Sequence, residues 1–256
     1  MRSCTSLILT AFFIFTGLNA QNDKGSANNQ MIFITGGELN KTFINYVAGL
    51  TGKDKPKICF LPTASGDSPY SIIYWYELCH DLNVEPFVQR VWISSYSQKE
   101  TFEESLLKMD AIISGGGNTL NMLAIWKAQG IDTVLLKALR KGIILGGGSA
   151  GSLCWFVDGT TDSRPNELSI IEGLGFLKYS HCPHYSSEKY RRPLYLENIK
   201  KGILLPGYAC DNKSGILFIN GEASEVVSMD SLNNSYFVYK KGDEVIEEKL
   251  RPRIIK

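Results

Sequence analysis

The sequence predicts an α/β fold: a doubly wound, mostly parallel sheet sandwiched by helices, with a C-terminal antiparallel β extension. Three observations predict it. From Met31 onward, short apolar runs alternate with segments of helical periodicity. Those runs end in glycine clusters or small polar residues, where open parallel sheets place their ligand sites. The chain has 256 residues, 44% of them hydrophobic, which suits one domain over 21–256.

Each element follows from its residues. MIFIT (Met31–Thr35) reads as a strand ending in Gly36-Gly37. KICFLP (Lys57–Pro62) runs into the polar loop Thr63–Ser68. PFVQRVWI (Pro86–Ile93) follows a helical stretch rich in Tyr and Leu. AIIS (Ala111–Ser114) ends in three glycines, and GIILG (Gly142–Gly146) ends in two more. Glu103–Met109 and Leu120–Leu139 carry apolar residues at helical spacing, and Ser152–Val157 reads as a further helical run. After about residue 205 the pattern becomes GYACD, GILFIN, ASEVVSM, SYFVYKK and EVIEEKL, short strands joined by tight turns. They form an antiparallel extension at one sheet edge rather than a second domain.

The N-terminus has the form of a secretory signal over 1–20: Arg2, the apolar run Leu7–Leu18, and Asn19-Ala20 before Gln21. The chain is therefore expected to be exported, periplasmic or secreted. The run is too short to span a bilayer comfortably, so no membrane partner is expected once it is removed. A net charge of +1 gives no footprint for nucleic acid. The mature chain keeps Cys59, Cys79, Cys154, Cys182 and Cys210, an odd and widely spaced set without a CxxC pair. Buried free thiols fit better than a disulfide framework or a zinc site, and no metal or cofactor is expected.

Gly147-Gly148-Ser149-Ala150-Gly151 fits G-x-S-x-G between a buried strand and a helical run. A serine on so tight a turn projects its hydroxyl into the site, and small neighbours let the backbone make the turn. A phosphate loop is the alternative, but neither GxxxxGK[ST] nor a dinucleotide fingerprint is present. The hydroxyl needs a base, and there are three histidines. His80 lies in a helical stretch away from any strand end. His181 and His184 share SHCPHY, and His184 is favoured. The acidic residues between serine and histidine are Asp158, Asp162, Glu167 and Glu172. Asp162 sits in GTTDSRP, read as a polar loop beyond the helix, while Asp158 could cap the helix end. In SGGGNTLNML, Gly116 can offer half of an oxyanion hole with Ala150 as the other half; a plain strand-to-helix turn explains the glycines equally well. Asn118 can cap the helix that follows and is counted among the substrate-binding residues.

With these motifs in view, the sequence resembles the dipeptidase E family of aspartyl dipeptidases, whose distant relatives include the cyanophycinases. The resemblance runs from about Met31 to Val227 and rests on SGGGNTLNML, GIILGGGSAGSLCWF, GTTDSRP and SHCPHYSSEKYRRPLY. It implies a fold related to class I glutamine amidotransferases and metal-free hydrolysis of small peptides with an N-terminal aspartate. It places the family's serine on Ser149, its histidine on His184 and its aspartate on Asp162, 22 residues before the histidine. A glutamate proposed as third member in the family has no counterpart here: the region reads CDNKSG, leaving Asp211 as fallback beside Asn212. Gly148 and the signal-like N-terminus are further departures. A buried substrate carboxylate needs a cation, preferably arginine. Arg191 and Arg192 follow His184 closely, and Arg164 is the other candidate. The rival readings are a cyanophycinase-like or broader peptidase and a non-catalytic periplasmic binding protein.

Overall fold

A computed structural model describes residues 29–93 and 95–256; the signal-like segment 1–20 lies outside the described residues. The elements run β1 (Met31–Thr35), α1 (Lys41–Leu50), β2 (Lys57–Leu61), α2 (Pro69–Cys79), β3 (Glu85–Val88), α3 (Phe102–Leu106), β4 (Ala111–Ser114), α4 (Thr119–Gln129), α5 (Ile131–Arg140), β5 (Ile144–Gly148) and α6 (Ala150–Leu153). They continue with β6 (Phe156–Arg164), β7 (Glu167–Glu172), β8 (Leu177–Cys182), α7 (Arg191–Lys201), β9 (Gly207–Cys210), β10 (Ser214–Ile219), β11 (Glu222–Ser228), β12 (Ser235–Lys241), β13 (Glu244–Leu250) and β14 (Arg253–Ile254).

Two sheets form. The larger has the order β14-β11-β10-β1-β5-β4-β2-β3, and its β1, β5, β4, β2 and β3 are parallel. The smaller has the order β13-β12-β9-β8-β6-β7. Side-chain alternation in β1 shows how the layers are built. Ile32 and Ile34 face the core shared with α3, α4, α5 and the smaller sheet, while Phe33 faces the core under α1 and α2. A third cluster, including Tyr185, Tyr195, Ile199 and Val238, seats α7 on the outer face of the smaller sheet. β5 lies between β1 and β4 and is buried along its whole length, as its run of Ile, Leu and Gly requires.

The predicted C-terminal extension is divided. β10 and β11 extend the larger sheet beyond β1, each antiparallel to the strand before it, whereas β9, β12 and β13 join the smaller sheet. A second correction concerns GTTDSRP. It is not a loop: the helix after Ser149 stops at Leu153, and Phe156–Arg164 is strand β6. Thr160 and Thr161 are buried, and their β-branched side chains suit a pleated strand.

That pairing has an electrostatic cost. β6 sets Asp158 directly opposite Glu172 of β7, and Asp158 Oδ1 has no hydrogen-bond partner among the described residues. Burial first, then the Glu172 charge, push the Asp158 carboxyl up to about 6. The folded state therefore binds the Asp158 proton more tightly than the unfolded chain does. Stability should fall as pH rises from about 4 to about 6 and stay lowered above that window. For a half-buried, partly screened group the loss is on the order of 1 kcal/mol. Asp158→Asn is expected to raise Tm by about 2–4 °C at pH 7.5 and by nothing measurable at pH 4. Thermal melts at both pH values check this; an equal gain at both would remove the charge explanation.

Candidate active site

Ser149 follows β5 at the junction with α6. Its backbone is left-handed, with φ 55° and ψ −119°. A non-glycine residue there carries roughly 1–3 kcal/mol of strain, which surrounding contacts must hold. Those contacts are backbone against backbone. A Cβ on Gly148 would lie 2.2 Å from the Gly37 carbonyl oxygen, and one on Gly151 2.1 Å from that of Ser114. Gly148 is thus required here, because the β1 end occupies the space a larger side chain would need.

His184 comes from the other sheet, two residues past β8. Its N–H donates to Gly36 O at 3.0 Å, and its backbone is also left-handed, with φ 55°. Nε2 lies 2.8 Å from Ser149 Oγ. Nδ1 lies 2.7 Å from Asn212 Oδ1, an acceptor, so Nδ1 carries the proton and Nε2 is free to accept the Ser149 hydroxyl proton. Ser187 Oγ also lies 2.9 Å from Asn212 Oδ1 and 3.2 Å from His184 O, so it packs the amide against the histidine segment. Asn212 follows β9, and its neighbour Asp211 fixes the turn: Oδ1 accepts from Ser186 N–H at 3.0 Å and Oδ2 from Asn234 N–H at 2.8 Å.

The third group is therefore an amide, and the two aspartates serve elsewhere. Asp162 does not face His184. It sits on β6, with its side chain 63% exposed, 3.2 Å from Arg191 Nη2. Asp211 is buried, and both its oxygens hold backbone. The expected substrate-binding residues are also engaged. Arg191, only 2% exposed, bonds Glu188 at 2.6 Å and the Thr160 carbonyl at 2.9 Å, as well as reaching Asp162. Arg192 forks onto Glu247 at 2.8 and 2.7 Å. Arg164 donates to Ser169 Oγ at 2.8 Å. Asn118 caps α4 through Asn121 N–H at 2.9 Å and donates to Ser163 O at 2.9 Å.

His181 has a structural position. It is fully buried and stacked on Phe156, and burial above all pulls it down to about 3. A neutral ring donates from Nδ1 to Tyr208 O at 2.9 Å and accepts from Ser152 Oγ at 2.9 Å, which ties α6 to the smaller sheet. Among the described residues, Cys59, Cys79, Cys154, Cys182 and Cys210 are buried and unpaired. Burial pushes Cys59, Cys79, Cys182 and Cys210 up to about 12, so none of these offers a thiolate at neutral pH.

Ser149 and His184 open onto a cavity of about 300 Å³, together with Gly115, Gly116 and Gly117. Its lining also includes Phe60, Tyr74, Trp75, Leu78 and Leu39, with Ser65, Ser71 and Glu38 as the polar members. Gly115 N–H is taken by Leu61 O at 3.1 Å and Asn118 N–H by Ala64 O at 2.8 Å, which anchors the loop on both sides of Gly116. Gly116 faces the serine: a Cβ there would meet Ser149 Oγ at 3.7 Å.

Sheet order and elbow define the class: a protein of class I glutamine amidotransferase-like fold whose strand-to-helix turn carries a serine beside a histidine. Residues 31–226 match Peptidase family S51, and the chain belongs to that family. It is 38% identical over 208 residues to YgaJ of Bacillus subtilis (strain 168), described as an uncharacterized peptidase, covering 81% of this chain and 89% of that one. Its fold matches the crystal structure of a peptidase from an acI-B1 actinobacterium, with TM-score 0.66 and 16% identity over 90% of this chain and 98% of the other. It also matches a putative peptidase E protein from Listeria monocytogenes EGD-e, with TM-score 0.55 and 18% identity over 87% and 100%.

The residue that sequence reasoning passed over is Asn212, although CDNKSG had marked its neighbourhood. If it holds the His184 tautomer, Asn212→Ala should lower kcat for peptide hydrolysis by about tenfold or more at nearly constant KM, and Asn212→Asp should restore most of it. Steady-state kinetics with a thermal melt of each variant tests this. Wild-type kcat in Asn212→Ala would remove Asn212 from the relay.

Proposed function

We propose that this peptidase is a serine-type exopeptidase of small peptides. The observation that carries the reading is the 2.8 Å contact between Ser149 Oγ and His184 Nε2 on a strained elbow facing a cavity. In the proposed reaction Ser149 attacks the peptide carbonyl while His184 takes its proton, and Asn212 keeps the ring in the productive tautomer. The N–H groups of Gly116 and Ala150 receive the oxyanion. Protonated His184 then releases the amine, and water, activated by the same ring, hydrolyses the acyl-enzyme. The third member in this reading is Asn212, in place of the Asp162 that the family resemblance implies.

The cavity is at the small end of the roughly 300–1,000 Å³ typical of ligand sites, which favours a dipeptide or tripeptide over a long chain. A binding protein without turnover would have no need to hold Ser149 in left-handed backbone. The N-terminal aspartate preference implied by the family resemblance gains no support from Arg191, Arg192 or Arg164, whose polar atoms are engaged away from the cavity.

Ser149→Ala tests the reading. Turnover of dipeptides should fall by about 10³-fold or more, with an unchanged melting curve. A fluorophosphonate should label the wild type at Ser149 and leave the variant unlabelled. Substantial turnover by Ser149→Ala would rule out the serine as nucleophile.

A further inference from the structure

We propose that the cavity beside Ser149 selects peptides with a free N-terminus and an apolar, preferably aromatic, first side chain, with Glu38 as partner of the substrate's α-ammonium. The inference rests on the serine-peptidase reading above and names its substrate class.

The walls carry the first part. Phe60 and Trp75 stack with ring centroids 5.2 Å apart and planes 18° from parallel, and both are buried. Tyr74, Leu78 and Leu39 continue the apolar lining. Phe60, Trp75, Leu78 and Leu39 are seated by the core under α2, so this part of the surface is preformed and binding need not order it. An apolar side chain entering there leaves water and meets carbon on several sides.

Charge carries the second part. Besides His184, the charged side chain lining the cavity is that of Glu38, on the loop between β1 and α1. Its carboxylate takes no hydrogen-bond or ion-pair partner among the described residues, while Lys41 three residues on is bound to Asp81 at 2.5 Å. No arginine or lysine lines the cavity. A substrate aspartate would therefore place its carboxylate between aromatic rings and a second carboxylate, without a cation to offset the desolvation. A peptide's α-ammonium gains the reverse: an unpaired carboxylate on a residue that lines the same cavity as Ser149 and His184. The geometry is that of an aminopeptidase-like first subsite. A lysine side chain could bring the same ammonium chemistry, and the assay separates the two sources.

The experiment is kcat/KM of wild type, Glu38→Gln and Ser149→Ala for Phe-Leu, Leu-Leu, Asp-Leu, Lys-Leu and N-acetyl-Phe-Leu. Wild type should prefer Phe-Leu and Leu-Leu over Asp-Leu by about tenfold or more, and acetylation should cost about tenfold. In Glu38→Gln the acetylation penalty should shrink to about threefold or less, since the variant lacks only the charge. Glu38 is exposed, so the substitution leaves the fold in place. A preference for Asp-Leu, a preference for Lys-Leu over Leu-Leu, or an undiminished acetylation penalty in Glu38→Gln would each overturn the assignment. Turnover that survives in Ser149→Ala would overturn the serine mechanism, and this inference with it.

Discussion

The site depends on backbone packed against backbone where the ends of β1, β5 and β9 meet. Gly36 sits so close to the end of β9 that a Cβ there would lie 2.1 Å from the Cys210 carbonyl oxygen. Gly37 is pressed between the elbow and Asn212: its carbonyl blocks any side chain at Gly148, and a Cβ of its own would lie 2.9 Å from that of Asn212. The Gly36 carbonyl then receives the His184 N–H. This glycine pair, with Gly148 opposite it, sets the spacing of the serine, the histidine and the amide, because it lets three strand ends approach to contact. Replacing either glycine would move all three groups together.

An amide in the third position divides between several residues what a carboxylate would do alone. Asn212 Oδ1 can fix the imidazole tautomer, but it would bring no charge to the imidazolium of the proposed reaction. The nearest carboxylate contact is Glu188 Oε1, 4.0 Å from His184 Nδ1. Its other oxygen is held by Arg191, which in turn reaches Asp162 and the β6 backbone. Asp162 therefore stands at the far end of a chain of contacts that begins at the histidine, three side chains removed from it. Asp211 acts through geometry: its two backbone hydrogen bonds tie the His184 segment to the turn before β12 and so hold Asn212 in reach.

The parallel half of the larger sheet was legible because each strand is a short apolar run closed by glycine or a polar turn, as in MIFIT-GG and AIIS-GGG. Ser149 was legible for a related reason, since G-x-S-x-G is a local pattern with a local cause. The smaller sheet was not. Its β6 is rich in Thr, Asp and Ser, and strand identity there comes from pairing with β7 and β8 rather than from its own hydrophobicity. Asp162 was misplaced by the same fact, because a loop reading let it turn toward His184 and a paired strand does not. Asn212 was hidden because its role needs β9 to end beside β1, a juxtaposition across 175 positions of sequence. The engagement of Arg191 and Arg192 was equally invisible, since their acceptors include Thr160 O and Glu247 on other strands.

Ser149 belongs to the eight-stranded sheet and His184 to the six-stranded one, so the 2.8 Å bond between them crosses the joint between the two layers. Each sheet can keep its own ladders while that joint loosens. Proton transfer cannot survive even a small opening, because it needs hydrogen-bond distance. If the proposed serine–histidine reaction holds, turnover reads the docking of the two sheets more directly than any measure of secondary structure does. On that reading, mild denaturant silences turnover before it changes the circular dichroism. His181, buried outside the cavity, contributes to that docking through its bonds to Ser152 of α6 and Tyr208 of β9.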